Sequence, residues 1–322
     1  MGQPNKPRSG SMQFWPRKRA RRIYARIRSW PSQKEAKPLG FAGYKVGMCH
    51  AMVVDNRKNA LTKGEEISVP LTILECPPLK VYGARFYRKS IMGTQAIVDV
   101  TAKADKELAR KLPVQKKEGK KLEDIPLAGV EAIYALVYTQ PKLVGFGKKK
   151  PELFEIAIGG NVEEQFAFMK ERLGKDLSVK EVLREGAQLD VHAVTRGKGV
   201  QGPVKRFGVS IRQHKAEKTK RGPGSLGAWR GQGHMMYRVA HAGQMGFHTR
   251  TEYNKWLIKI EDDMQKINRL GGFKHYGVVR NPCILLKGSV GGAAKRLVRV
   301  LAATRPTNLP HEAPQVQQLI FA

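Results

Sequence analysis

Short apolar stretches separated by turn residues recur along the chain, and they predict many β-strands. Strands are expected at 40–54, 67–76, 129–139, 153–158, 189–193, 256–260, 277–287 and 297–302. Phe154, Ile156 and Ile158 alternate with other residues, which is typical of a strand with one face in water. Pro70 cannot donate a hydrogen bond to a neighbouring strand, so it predicts an edge or a bend in the second of these strands.

Two helices are predicted from the residues that can cap their first turns. Asn161 can cap a helix that runs to about Leu173, with two glutamates in the first turn, where the helix dipole favours acidic residues. Ser178 opens a capping box that predicts a second, short helix ending near Gly186. Many short strands and few helices favour a mainly β (α+β) fold, in which a small barrel carries an inserted α/β piece at about 96–186.

Composition shows which partners such a fold could have. Lys and Arg number 59 against 27 Asp and Glu, a formal net charge of +32, and hydrophobic residues make up 41% of the 322 residues, enough for a core. The longest apolar run, Ala132 to Tyr138, has seven residues, far fewer than the roughly 20 needed to span a bilayer. The arginine-rich N-terminus has no apolar segment typical of a secretion signal. We therefore expect no membrane and a polyanion as the partner.

The three cysteines indicate the compartment. Cys49, Cys76 and Cys283 are odd in number and widely spaced, and no CxxC or paired-histidine pattern accompanies them. This excludes a disulfide framework, argues against a zinc site, and predicts buried thiols in a reducing cytoplasm.

The positive charge is concentrated in two segments. Residues 1–46 and 196–250 each contain twelve Lys and Arg residues and one acidic residue, so these 101 residues carry +22 of the net charge. The second segment has eleven glycines and no sustained apolar period, so it cannot by itself bury enough surface to offset its ordering entropy. A solvated linker is one interpretation. The alternative is base stacking and phosphate neutralisation on a nucleic acid, which is favoured by its interleaved aromatic residues, Phe207, Trp229, Tyr237 and Phe247.

Gly197 to Gly202 matches the G-x-G-x-x-G pattern of a dinucleotide-binding loop, but its surroundings do not fit such a site. A helix should open at the last glycine, whereas Pro203 follows without an amphipathic stripe, and the acidic residue expected about 20 positions later is missing. The glycines instead allow close approach to a phosphate chain. No catalytic group is legible and Asp262-Asp263 is typical of a solvated turn, so we expect no cofactor, no metal and no small-molecule substrate.

Long motifs are spread over nearly the whole chain. They are FWPRKRA at 14–20, GFAGYKVGM at 40–48, AVTRGKG at 193–199, RGPGSLGAW at 221–229, AGQMGFH at 242–248 and KGSV at 287–290. In this order they resemble ribosomal protein three of the large subunit, in its archaeal form. The chain departs from that family where Cys49 replaces a usual threonine and where Arg230 to Gly233 replace a usual His-Pro. Lys220 and Ala228 occupy positions that some relatives methylate, so no methylation is predicted.

The resemblance implies a split β-barrel of the translation-protein type with two long basic extensions that enter ribosomal RNA. It implies an arm at 1–38, barrel strands and the inserted piece at 39–195, an internal extension at 196–250, completion of the barrel at 251–305 and a tail at 306–322. The family binds 23S rRNA near its 3′ end, acts early in assembly and reaches towards the peptidyl transferase centre. Its expected protein neighbours are ribosomal proteins fourteen and twenty-four-e. Because peptide-bond chemistry belongs to RNA, the expected role is structural, not enzymatic.

The charge distribution and the resemblance together predict a set of RNA-binding residues in the two extensions and at the start of the barrel. They are Trp15, Arg17, Lys18, Arg19, Arg21, Arg22, Arg26, Arg28, Lys45, Arg196, Lys198, Lys205, Arg206, Arg212, His214, Lys218, Lys220, Arg221, Trp229, Arg230, Arg238, Gln244, His248 and Arg250.

Two other classes of function remain as alternatives. An RNA-modifying enzyme would need a cofactor pocket or a catalytic acid, base or nucleophile. A DNA-compacting protein would tend to be short or to repeat a basic module, whereas this chain has one body and two unlike arms.

Overall fold

A computed structural model describes residues 5, 7–113, 121–216, 218–228, 233–310 and 312–321. The chain divides into two compact units. We call the first the basic unit; it consists of Met1–Ile23 and Val194–Thr249. The second, which we call the body, consists of Tyr24–Ala193 and Arg250–Ala322.

Antiparallel strands dominate the chain, as the apolar pattern predicts. In chain order they are β1 (Gly40–Val54), β2 (Glu66–Glu75), β3 (Leu79–Ser90), β4 (Gly93–Thr101), β5 (Ala132–Thr139), β6 (Leu153–Ala157), β7 (Asp176–Leu177), β8 (Gln188–Val194), β9 (Val200–Gln201), β10 (Gly243–Gln244), β11 (Thr249–Glu261), β12 (Cys283–Lys287), β13 (Leu297–Ala302) and β14 (Val316–Ile320). The helices are α1 (Val162–Arg172), α2 (Val179–Val182), α3 (Pro203–Phe207), α4 (Met264–Ile267) and the 3₁₀ turns Leu108–Arg110, Leu122–Asp124 and Pro141–Leu143. None of the helices in the described ranges combines the length and the apolar character that a bilayer crossing requires.

Six strands close into a ring in the order β13-β8-β11-β12-β2-β1, and β1 pairs again with β13. The closure depends on β1, whose first five residues pair with β13 while later residues on the same edge pair with β14. Gly40 allows the two backbones to approach, since a Cβ there would lie 2.7 Å from the carbonyl oxygen of Val300. The main apolar core of the body contains ring residues such as Leu71, Ile73 and Val298, and it continues into β3 and β5 through Phe86 and Ile133.

The second sheet of the body has the order β4-β3-β5-β6, with β7 paired to β3. The buried side chain of Gln165 fixes α1 to this sheet: its Nε2 donates to the carbonyl oxygens of Ile158 (3.1 Å) and Gly160 (2.9 Å), and its Oε1 accepts from the amide of Ile133 (2.8 Å). The predicted cap at Asn161 is confirmed, because α1 begins there with a capping box.

The sequence pattern did not predict β3 and β4, because charged residues occupy positions where apolar residues would have indicated strands. Arg85 of β3 donates to Asp99 of β4 at 2.6 Å and also pairs with Glu155 of β6, so a row of ions lies where alternating apolar residues would have signalled strands. The sheet therefore begins at Leu79, before the boundary near residue 96 expected for the inserted piece. Within 306–322, expected as a tail, residues 316–320 form β14, which pairs with β1 beside the ring.

Other predicted boundaries also move. The second helix stops at Val182 instead of near Gly186, because the amide of Gly186 donates to Leu257 of β11 (2.8 Å) and the carbonyl oxygen of Gly186 accepts from the Trp256 indole (3.0 Å). Pro70 was expected to mark an edge or a bend in β2. The strand is interior over residues 71–75, which pair with β12, and Pro70 lies just before that stretch.

The three cysteines are free and buried, as predicted. Burial raises the pKa of the Cys49 thiol to about 11, which keeps it protonated. Across the described ranges, no cluster of three or more His, Cys, Asp or Glu is placed to hold a metal ion.

Glu75, at the end of β2, organises the segment that precedes β12 and is fully buried. Its Oε1 accepts from the amides of Arg280 and Asn281 (2.9 Å each) and from Asn281 Nδ2 (2.7 Å), while its Oε2 accepts from the Tyr276 hydroxyl. Burial first, and then the Glu75 carboxylate, raise the pKa of Tyr276, so its hydroxyl stays a donor. These bonds hold the chain before β12 in an irregular path at 278–282, so the strand expected from residue 277 begins only at Cys283.

We predict that Glu75→Ala lowers the free energy of unfolding by about 3–5 kcal/mol, because two backbone amides and a buried hydroxyl lose their acceptor. Urea unfolding of the full chain, followed by far-ultraviolet circular dichroism, measures the change. Glu66→Ala is the matched control on the same strand, where the side chain is exposed, and it should change stability by no more than about 0.5 kcal/mol. Equal losses in both variants would contradict the role of Glu75.

Candidate nucleic-acid interface

The basic unit has almost no negative charge. Its 79 residues contain 18 Lys and Arg and a single acidic residue, Glu217, a net charge of +17, whereas the 243 residues of the body carry +15. Glu217 lies outside the described residues. The described part of this unit contains no carboxylate, and one acidic residue cannot neutralise 18 cations, so the unit has a strongly positive net charge.

The N-terminal segment and the internal extension pack together in the basic unit. The amide of Ala20 donates to the carbonyl oxygen of Phe247 (2.8 Å), and His248 Nδ1 lies 2.8 Å from the carbonyl oxygen of Lys18. Arg8 donates to the carbonyl oxygen of Arg238 (2.6 Å). The sequence suggested two separate arms that order only on a nucleic acid; the structure instead gives them a shared set of contacts.

Two of the predicted RNA-binding arginines form hydrogen bonds within the basic unit. Arg17 Nη1 donates to the carbonyl oxygen of Arg206 (2.5 Å), and its guanidinium lies 4.2 Å from the centre of the Phe207 ring. Arg206 donates to the carbonyl oxygens of Gln244 (3.0 Å) and His241 (2.9 Å), and burial lowers its pKa. Both guanidinium groups therefore bind backbone carbonyl oxygens where other proteins would supply carboxylates. These bonds fix the backbone of the basic unit.

Glycines set the backbone path where the extension leaves and re-enters the body. Gly246 has a φ of +72°, and a Cβ there would lie 2.1 Å from the carbonyl oxygen of Arg196. Nearby, β9 and β10 pair as a short ladder. The expectation that no helix follows Gly202 was wrong, because Pro203 occupies the first turn of α3, where a missing amide hydrogen costs nothing. α3 is a five-residue turn that ends at Gly208 in the left-handed conformation.

Most of the other predicted residues of the basic unit have exposed side chains. They are Lys18, Arg19, Arg21, Arg22, Arg196, Lys198, Lys205, Arg212, His214, Lys218, Lys220, Arg221 and Arg238. Gln244 and His248 are half-buried, and the Gln244 amide donates within its own turn to the carbonyl oxygens of Met245 (3.2 Å) and Gly246 (3.0 Å). Trp229 and Arg230, predicted at the tip, lie outside the described residues.

Four predicted residues fall in the body. Arg26 and Arg28 are exposed and alternate with buried neighbours, so the chain after Ile23 already runs as part of the body. Lys45 is half-buried; its ammonium donates to carbonyl oxygens in the loop at 290–292, and burial lowers its pKa. Arg250 is also half-buried, with its pKa lowered by burial.

An aromatic cluster joins the two segments of the basic unit, and the predicted site contains only one of its members. The Trp15 ring lies 6.0 Å from the Phe207 ring and 6.1 Å from the Tyr237 ring, measured between centres. Phe207 is buried, whereas Tyr237 is 69% exposed. The presence of Tyr237 among basic residues was a signal for it, but its neighbour Trp15 comes from the other end of the sequence and could not be identified from local pattern.

Comparison with known proteins identifies the family of this chain. The family model described as "Ribosomal protein L3" matches residues 1–321. A relative named "Large ribosomal subunit protein uL3" from Archaeoglobus fulgidus is 47% identical over 308 residues, which cover 94% of this chain and 93% of the relative. Relatives of the same name from Methanobrevibacter smithii (44% identical; 98% and 96% covered) and Methanothermobacter thermautotrophicus (45% identical; 100% and 98% covered) are similar over comparable lengths.

The resemblance inferred from the motifs is thereby confirmed. The family model matches residues 1–321, and the relatives are 44–47% identical over nearly the full length of the chain. The chain belongs to the ribosomal protein L3 family of the large ribosomal subunit, whose members are structural proteins and not enzymes.

Proposed function

We propose that this chain binds 23S rRNA near its 3′ end, nucleates early assembly of the large subunit and reaches towards the peptidyl transferase centre through residues 196–250. The observation that carries the proposal is the net charge of +17 on the 79 residues of the basic unit. Uncompensated cations bind the phosphate backbone, and counterion release then supplies much of the affinity.

The body supports the same proposal. Its closed ring of six strands is the candidate for the family's split β-barrel, and the sheet β4-β3-β5-β6 is the candidate for the inserted piece. Ribosomal proteins fourteen and twenty-four-e are the proposed protein neighbours. The proposed RNA-contacting segments then fall largely in the basic unit, which ends at Ile23 in the first segment and runs from Val194 to Thr249 in the second.

Within the basic unit we assign two roles to the basic residues. Exposed cations such as Arg212, Lys220 and Arg221 contact phosphates. Arg17 and Arg206 keep the surface that presents them in shape, since their guanidinium groups bind backbone carbonyls.

The charge role predicts a steep dependence of RNA affinity on salt. If ten side chains meet phosphates, the affinity for 23S rRNA should fall by about 10³ to 10⁵ between about 50 and 200 mM salt. Replacing four exposed cations (Arg212, Lys218, Lys220 and Arg221) by Ala should reduce the slope of log affinity against log salt by about 3–4. Filter binding to a 23S rRNA transcript measures both, with duplex DNA as competitor to test the DNA-compacting alternative.

The matched control removes four exposed cations of the body, Lys103, Lys106, Arg110 and Lys111. It changes the net charge equally and should leave the slope within about 1 of the unaltered chain. A flat salt plot, or equal effects of the two quadruple variants, would contradict the assignment of RNA binding to the basic unit.

If the backbone path of the basic unit matters for RNA binding, a substitution that distorts it should lower RNA affinity without any change in charge. Gly246→Ala introduces a Cβ against the carbonyl oxygen of Arg196 at a positive φ, so the start of the extension has to distort. We expect the affinity for 23S rRNA to fall about tenfold, a free-energy loss of about 1.4 kcal/mol, with no change in salt slope. Gly202→Ala, at ordinary φ and with open space around it, should bind normally; a similar loss there would mean that glycine content alone matters.

The tip role rests on sequence, because Trp229 lies outside the described residues. Trp229→Ala should leave the free energy of unfolding within about 0.5 kcal/mol of the unaltered chain, since stacking in RNA, worth about 1–3 kcal/mol per base, is absent in the free protein. Subunits should still assemble, but peptidyl transfer or the binding of transfer RNA and factors should change in a translation assay. A loss of several kcal/mol in thermal unfolding would place Trp229 in a core.

A further inference from the structure

We propose that the exposed ring of Tyr237, supported by Trp15, is a stacking platform for one unstacked nucleotide of the RNA. This inference deepens the proposed function and rests on it: it specifies a single base, where the charge of the basic unit specifies only a phosphate backbone.

The first observation is the exposure of Tyr237. Among the aromatic side chains that the structure describes, its exposed fraction of 69% is the highest; Tyr253 follows at 57% and Phe14 at 55%. In the free protein most of the apolar area of this ring is in contact with water. A nucleobase has a flat face of matching size that would cover it.

The second observation is that the ring is held in place. Trp15 contacts Tyr237 edge-on, with 81° between the ring planes, and it also packs against Phe207, which is 4% exposed. Arg17 in turn covers the Phe207 ring at 4.2 Å. Tyr237 therefore stands at the exposed end of a stack that begins in the interior of the unit, and little entropy remains to be lost when a base stacks on it.

The third observation is the charge beside the ring. Arg238 follows Tyr237 and has an exposed side chain, while its carbonyl oxygen accepts a hydrogen bond from Arg8 (2.6 Å). A nucleotide joins a flat apolar base to a negative phosphate, and Tyr237 with Arg238 offers the complement of both. An apolar protein surface would match the Tyr237 ring but would provide no anion for the Arg238 side chain.

The geometry also distinguishes an unstacked nucleotide from a duplex. Inside a helix both faces of each base are covered by neighbouring bases, so a protein ring reaches a base face only where the strand is open or a base is turned out. Duplex RNA should therefore bind through phosphates alone and should not detect Tyr237.

The experiment uses the full chain with three probes: a single-stranded oligouridine, an RNA duplex of the same length and the 23S rRNA transcript. Tyr237→Leu should weaken binding to oligouridine and to the transcript about 5- to 150-fold, the equivalent of one stacked base, and leave duplex binding unchanged. Tyr237→Phe, which keeps the ring, should bind like the unaltered chain. Trp15→Leu should give an intermediate loss, because the platform remains but is less firmly held.

Tyr253→Leu is the control, because Tyr253 is an exposed tyrosine of the body at 57%; it should bind all three probes normally. The salt slope should be the same for all these variants, since no phosphate contact is removed. Ultraviolet cross-linking of the unaltered chain to the transcript should join Tyr237 to one nucleotide in a non-helical stretch.

The outcomes separate the two proposals. If the unaltered chain does not bind the transcript, the proposed function fails. If it binds with a steep salt dependence but Tyr237→Leu binds oligouridine equally well, or loses duplex binding to the same extent, the stacking platform is overturned while the proposed function stands.

Discussion

The length of β1 is the constraint on which the body depends. One edge of this strand has to pair first with β13, which closes the ring, and then with β14, while its other edge pairs with β2 along most of its length. Two glycines make this possible, since a Cβ at Gly43 would lie 2.7 Å from the Cys76 sulfur, just as one at Gly40 would meet β13. The buried Glu75 also supports the ring, because it binds the backbone amides just before β12, the strand that pairs with β2.

The basic unit follows a different logic, because it has no described carboxylates with which to balance its charge. Its interior instead uses backbone carbonyls: Arg17 and Arg206 donate to them and cover the aromatic ring of Phe207. These contacts satisfy the arginines without neutralising them. The unit therefore stays strongly positive after it folds, which leaves neutralisation to the RNA that its family contacts.

Local pattern was sufficient for much of the fold. The bounds of β1 and β13 and the cap of α1 agree with the apolar pattern, because these elements have apolar periods or side-chain caps that act within a few residues. The pattern failed at β3, where Arg85 pairs with Asp99 of β4 and with Glu155 of β6, and at α3, where one turn is too short to show a period. The pattern also predicted Arg17 and Lys45 as RNA contacts. It could not reveal the backbone carbonyls that bind them, because those partners are nearly 200 residues or more away in the sequence.

The joining of Arg17 to Arg206 has a consequence for synthesis of the chain. The two residues are 189 positions apart, and at bacterial or eukaryotic speeds of about 5–20 residues per second a ribosome needs roughly 10–40 s to add that length. During this interval the first arginines have left the exit tunnel, while the carbonyls and the Phe207 ring that will hold them do not yet exist. The N-terminal segment is then positively charged and lacks its partners, so its contacts in the basic unit can form only after residue 207 has emerged.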